Sequence, residues 1–134
     1  MYLSLLREEQ KNLYINLAVH FASVDGDFSQ EEKNMIDAYC YEMGISYDYS
    51  QKIPALIDVV EQLNAISNMH EKKMILFEIV GLAKADNNFH EDERRMIALM
   101  IERFAIKDTF VDECEHVIED YMKLQTRINN LVMG

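Results

Sequence analysis

Two pairs of carboxylates are the residues of this chain whose types and spacing could do chemistry. Asp25 and Glu32 stand seven positions apart, and Asp86 and Glu93 repeat that spacing 61 residues later. If the pairs converge, four oxygen-bearing side chains suit a hard divalent ion such as Ca²⁺, Mg²⁺ or Mn²⁺. Asp27 and Asn88 would be further ligands. Each acid also has a purely local use. Asp25 and Asp86 follow the predicted end of a helix, where the macrodipole disfavours a carboxylate unless loop N–H groups answer it, as in an Asx turn. Glu32 and Glu93 stand third in the next helix, where a glutamate reaches back to the cap. An EF-hand does not supply the site. Asp25-x-Asp27-x-Ser29 opens as such a loop does, but its sixth and twelfth positions are Gln30 and Ile36; in the second copy they are Glu91 and Ile97. An ion here would have to sit between the two copies.

The carboxylates belong to a longer repeat. Ala22, Asp25, Phe28, Glu32, Met35 and Ile36 recur as Ala83, Asp86, Phe89, Glu93, Met96 and Ile97. Such a repeat predicts two copies of one supersecondary unit about a pseudo-two-fold axis. The flanking sequence reads as helix throughout, without two-residue alternation. A first helix is expected from about Ser4 to Val24, on the spacing of Leu6, Leu13, Leu17, Phe21 and Val24. Asp25-Gly26 stops it, and Asn87, the next most tolerant residue for that turn, takes the place of Gly26 in the second copy. Ser29-Gln30-Glu31-Glu32 is a capping box that opens a second helix, which Gly44 ends. A third carries Leu56, Ile57, Val60 and Leu63, with Pro54 expected in its first turn. A fourth opens near Ser67 or Asn68, with Asn68 and Glu71 as a second capping pair. It is apolar on every side from Met74 to Ala83 except at Glu78, so it is expected to be central. Gly81 within it suggests close approach of a neighbouring helix. A fifth runs from about His90 to Phe104. The last spans about Thr109 to Val132, with Phe110, Cys114, Val117, Ile118, Tyr121, Leu124, Ile128 and Leu131 as its apolar stripe. A turn over Ser46 to Ile53 would make a seventh. The expectation is an all-α bundle of six to seven helices in one domain, residues 1–134.

Other chemistry is sparse. His20 reads as a hydrogen-bonded core histidine, His90 as a weak cap or a solvated ring, and His70 and His116 have no partner in the pattern. No His-x-x-x-His, Glu-x-x-His or Cys-x-x-Cys spacing occurs, which argues against zinc or a di-iron bundle. Cys40 and Cys114 fall on apolar faces with nothing basic beside them, so inert buried thiols are expected. Tyr39 and Tyr41 cannot both face the core; with Tyr47 and Tyr49 they form either a half-buried cover of the helix 2–3 connection or a partner surface. No catalytic triad, phosphate loop or cofactor motif appears, and no enzymatic activity is expected.

The 134 residues are 49% apolar, enough for one core, with four glycines and one proline. The net charge of −11 argues against nucleic acid and anionic lipid, and favours cations or basic protein partners. No apolar run has the length of a membrane span. The stretch from Met1 turns charged at Arg7-Glu8-Glu9, so no leader is expected and a cytoplasmic location is.

The doubled element Ala-x-x-Asp-Gly/Asn-x-Phe-x-x-x-Glu, flanked by helices, resembles the TerB-like tellurite-resistance family. A related domain occurs in some membrane-anchored DnaJ-like co-chaperones. The resemblance covers roughly Leu13 to Ile106. It implies a bundle of about seven helices with an internal repeat, and acidic residues clustered at the two loops, carried here by Asp25, Glu32, Asp86 and Glu93. It also implies a bacterial stress-response role, as a scaffold or metal-linked module, with no established reaction. The chain departs from the family pattern at Asn87, where glycine is common, and at His90, where Ser, Asp or Thr is usual. The resulting expectation is a non-enzymatic binding module that presents an acidic face to a protein partner. The alternative is a divalent-metal-binding protein that uses the four carboxylates.

Overall fold

The computed structural model describes residues 1–24, 28–85 and 89–134. Among these residues the chain is all-helical, with no strand. A 3₁₀ turn at Leu3–Leu5 precedes α1 (Glu8–Ser23), α2 (Gln30–Met43), α3 (Leu56–Ile66), α4 (Met69–Ala83), α5 (Glu91–Phe104) and α6 (Asp108–Met133). Residues 46–53 form no seventh helix. Asp48 accepts there from the Ser50 hydroxyl at 2.6 Å and the Ser50 N–H at 2.9 Å, an Asx turn.

The first expected helix is two pieces. Leu6 is extended (φ −73°, ψ 150°) and so is Arg7, the N-cap of α1. Leu3 and Leu6, before and at this break, are both buried in the core. Pro54 stands outside α3, before the N-cap Ala55, and its carbonyl accepts a hydrogen bond from His20 Nε2 at 2.7 Å. His20 is thus hydrogen-bonded as expected, but half-buried at the rim of the core.

Helix α4 is the centre. It packs on α1, α5, α6 and the N-terminal 3₁₀ turn, and Ile75, Leu76, Ile79, Val80, Leu82 and Ala83 are all buried. The one acid in its apolar stretch, Glu78, is also buried and accepts from Tyr2 N–H at 2.9 Å. Close helix approach is not what requires Gly81. A Cβ there would lie 4.0 Å from Ile118 Cδ1, an ordinary contact.

The 61-residue offset extends well beyond the acidic stretch and recurs in the bonding of the helix boundaries. At the start of α1, Gln10 Oε1 accepts from Arg7 N–H at 2.8 Å; at the start of α4, Glu71 Oε1 accepts from Asn68 N–H at 2.9 Å. These two starts lie side by side. Gln10 Nε2 donates to Ser67 Oγ at 2.9 Å, and Arg7 Nε donates to Glu71 Oε2 at 3.3 Å. The helices α2 and α5 end alike, at Gly44 (φ 68°) and Ala105 (φ 56°), both left-handed. The following N–H groups return to the carbonyls five residues back, Ile45 to Cys40 at 3.0 Å and Ile106 to Ile101 at 3.1 Å. This is the Schellman closure, which glycine makes without strain and alanine does not.

The last helix departs most from its expected role. Of its apolar stripe only Cys114, with Val111 beside it, is buried; Phe110 and Ile118 are half-buried. Val117, Tyr121, Leu124, Ile128 and Leu131 are exposed. The stripe is helical and amphipathic, but the bundle covers only its first half.

Candidate functional site

Each acidic corner joins two helices, α1 to α2 and α4 to α5. Asp25 and Asp86, with the possible ligands Asp27 and Asn88, lie outside the described residues. Glu32 and Glu93 lie within them, and both are buried, at 7% and 3% exposure. Glu32 Oε1 accepts from Ser29 N–H at 3.1 Å, and Glu93 Oε1 accepts from His90 N–H at 3.0 Å. Each carboxylate thus serves the cap of its own helix, where the macrodipole favours negative charge. Ser29 completes its box, accepting from Glu32 N–H at 3.1 Å. Among the described residues, no three His, Cys, Asp or Glu side chains are grouped so as to hold a metal ion.

The two corners differ in the charge around them. At the second, Lys84 follows the end of α4 and reaches Glu119 at 2.9 Å and Glu115 at 3.8 Å. Arg94 lies over the Phe89 ring at 4.0 Å and reaches Glu115 at 3.4 Å. The Lys84 ammonium, hydrogen-bonded to Glu119, holds that carboxyl below its ordinary range. These contacts tie the second corner to α6. At the matching positions of the first corner stand Ser23, bonded to the Val19 carbonyl at 2.7 Å, and Lys33, 5.6 Å over the Tyr49 ring. The first corner therefore has one cation where the second has two. Sequence reasoning passed over Lys84 and Arg94, although the mismatch of Lys84 with Ser23 was visible in the aligned repeat.

The tyrosines divide as their spacing requires. Tyr39 is buried edge-on to Tyr14, with ring centroids 5.4 Å apart, while Tyr41 is 90% exposed. Tyr47 and Tyr49 stack edge to face at 5.1 Å over the connection after α2, and Tyr49 donates to Asp37 Oδ1 at 2.6 Å. Cys40 and Cys114 are free and buried; burial raises both thiols, Cys114 to about 11, which keeps them protonated at neutral pH. A third feature, not foreseen from sequence, is an apolar groove of about 660 Å³ between α4 and α6, lined by Met74, Phe77, Gly81, Phe110, Ile118 and Tyr121 among others. No helix of the described residues is long and apolar enough to cross a membrane.

An all-helical bundle with two capped, acid-flanked helix corners defines the class of protein. The chain resembles the tellurite-resistance proteins in that fold. It is similar to the crystal structure of a tellurite resistance protein from Nostoc punctiforme, with 26% identity and a TM-score of 0.64, over 94% of this chain and 82% of that one. No family model matches the chain, and no curated protein does.

Proposed function

We propose that this protein is a non-enzymatic recognition module of a bacterial stress response, of the tellurite-resistance kind, acting in the cytoplasm. The bundle holds the corners around Asp25–Glu32 and Asp86–Glu93 as an acidic face for a basic or metal-bearing protein partner. The similarity to a tellurite resistance protein over 94% of the chain carries this reading. The net charge of −11 agrees with it, since such a surface draws cationic partners and repels polyanions. The test is capture of partners from a bacterial lysate by the wild-type chain and by Asp25→Asn/Asp27→Asn/Asp86→Asn. The triple variant loses the captured proteins; unchanged capture overturns the proposal.

The burial of Glu32 and Glu93 directly beyond the two acidic segments favours a second reading, a divalent-cation site completed by Asp25 and Asp86. Calorimetric titration with Ca²⁺, Mg²⁺ and Mn²⁺ separates the two. Micromolar binding abolished by Asp25→Asn/Asp86→Asn, with a metal-dependent rise in melting temperature, supports the ion site. Absence of heat with all three ions eliminates it.

A further inference from the structure

The second half of α6 has no support from the bundle. Every residue from Lys123 to Met133 is exposed. A helical stretch of that length is marginal in water without packing, and this one contains Thr126, Ile128, Asn129, Asn130 and Val132, all modest helix formers. Yet its apolar residues are ordered. Phe110, Cys114, Val117, Tyr121, Leu124, Ile128 and Leu131 alternate spacings of four and three, the seam of a two-helix coiled coil. The bundle uses Phe110 and Cys114, and leaves Val117 onward between 48% and 85% exposed.

The charges say what covers the seam. From Asp108 to Asp120, α6 carries six acids and no Lys or Arg; from Tyr121 to Met133 it carries Lys123 and Arg127 and no acid. A helix with charge −6 in one half and +2 in the other is complementary to itself when reversed. The geometry agrees. The midpoint of the seam from Phe110 to Leu131 falls between Asp120 and Tyr121, and Val117 and Leu124 are equidistant from it. Glu113 and Arg127 stand seven residues on either side of Asp120, on the same flank of the seam. All three of Glu113, Asp120 and Arg127 are exposed.

We propose that two copies of this chain pair through α6, antiparallel about a two-fold axis at Asp120–Tyr121. Leu124, Ile128 and Leu131 of each copy cover Val117 and the mouth of the α4–α6 groove of the other, beside Phe77 and Tyr121. Arg127 of each lies by Glu113 of the other. Val117, Tyr121, Leu124, Ile128 and Leu131 are the exposed apolar residues of the seam on each copy. The local complementarity offsets the repulsion between two chains of charge −11. The inference goes beyond the recognition role and stands whether or not the acidic corners bind anything.

Sedimentation equilibrium of the full chain tests it. The expected result is a species of twice 15.7 kDa at micromolar concentration. Ile128→Glu raises the dimer dissociation constant at least about 100-fold, as a charge placed on a buried apolar seam does. It replaces an exposed residue, and an unchanged melting curve of the bundle confirms the fold. Arg127→Glu weakens the dimer about tenfold, and Arg127→Glu/Glu113→Arg restores it to within about threefold. A chain that stays monomeric to hundreds of micromolar overturns the proposal. So does a dimer indifferent to Ile128→Glu, a failure of the charge exchange to restore pairing, or a monomer that instead floats with vesicles of anionic phospholipid.

Discussion

The start and end of α2 and of α5 are the same structure made from unequal chemistry. Ser29 and His90 hold the same cap position, and Glu32 and Glu93 return to them through near-identical bonds. Gly44 and Ala105 hold the same left-handed turn. The first copy has the preferred residue at each place, and the second has a poor one. What lets the second keep the geometry is tertiary packing at both ends. Met43 and Phe104, the residues before the two turns, are both buried, so packing holds both helix ends; at the second corner Lys84 and Arg94 add a brace against α6. The first copy adds local preference to its packing; the second relies on packing and on the brace from α6.

Removing that enforcement gives the largest expected effect. Phe104→Ala costs about 3–5 kcal/mol in chemical denaturation. A loss below ~1 kcal/mol breaks the account of why Ala105 tolerates its turn. The caps come next. Ser29→Ala costs about 1 kcal/mol, and His90→Ser adds up to ~1 kcal/mol, because serine is a preferred residue at a helix N-cap and histidine is not. Equal losses from both would show that the two caps were already equivalent. At the helix ends the signs again oppose: Ala105→Gly stabilises and Gly44→Ala destabilises, each by about 1 kcal/mol, read as opposite shifts in Tm.

The smallest effect concerns the earlier pair of starts, where the first copy has Gln10 and the second Glu71. The Asn68 N–H first, and then the Arg7 side chain, hold the Glu71 carboxyl below its ordinary range. A depressed carboxylate contributes stability that is present above its unfolded value and lost as pH falls through its folded value. Glu71→Gln therefore flattens the acid limb of the stability–pH curve slightly. Gln10→Glu, at a buried position, lowers stability and adds an acid dependence of its own.

The legible parts of this fold are those written in short-range chemistry. Ser29 with Glu32, Asn68 with Glu71, and Gly44 each mark a helix boundary within four residues, and each marked it correctly. The all-apolar run of α4 announced the centre of the bundle. What escaped depends on contacts far along the chain. Nothing near Leu6 says that the chain must leave the helix there. Ala105 carries no glycine signal, because its turn is held by tertiary packing. The stripe of α6 showed amphipathicity without saying whether its cover came from the bundle. At the candidate site, the pattern picked out Glu32 and Glu93 as helix-start acids. It did not reveal that Lys84 and Arg94, salt-bridged to α6, would make the two corners electrostatically unequal.

Helix α4 is packed against α1, α5, α6 and the amino-terminal turn, and most of its middle is buried. The amides from Ile75 to Val80 are therefore expected to exchange their hydrogens through global unfolding. Their slowest exchange rates therefore report the global unfolding free energy directly. Those of the exposed end of α6 report only the state of that helix.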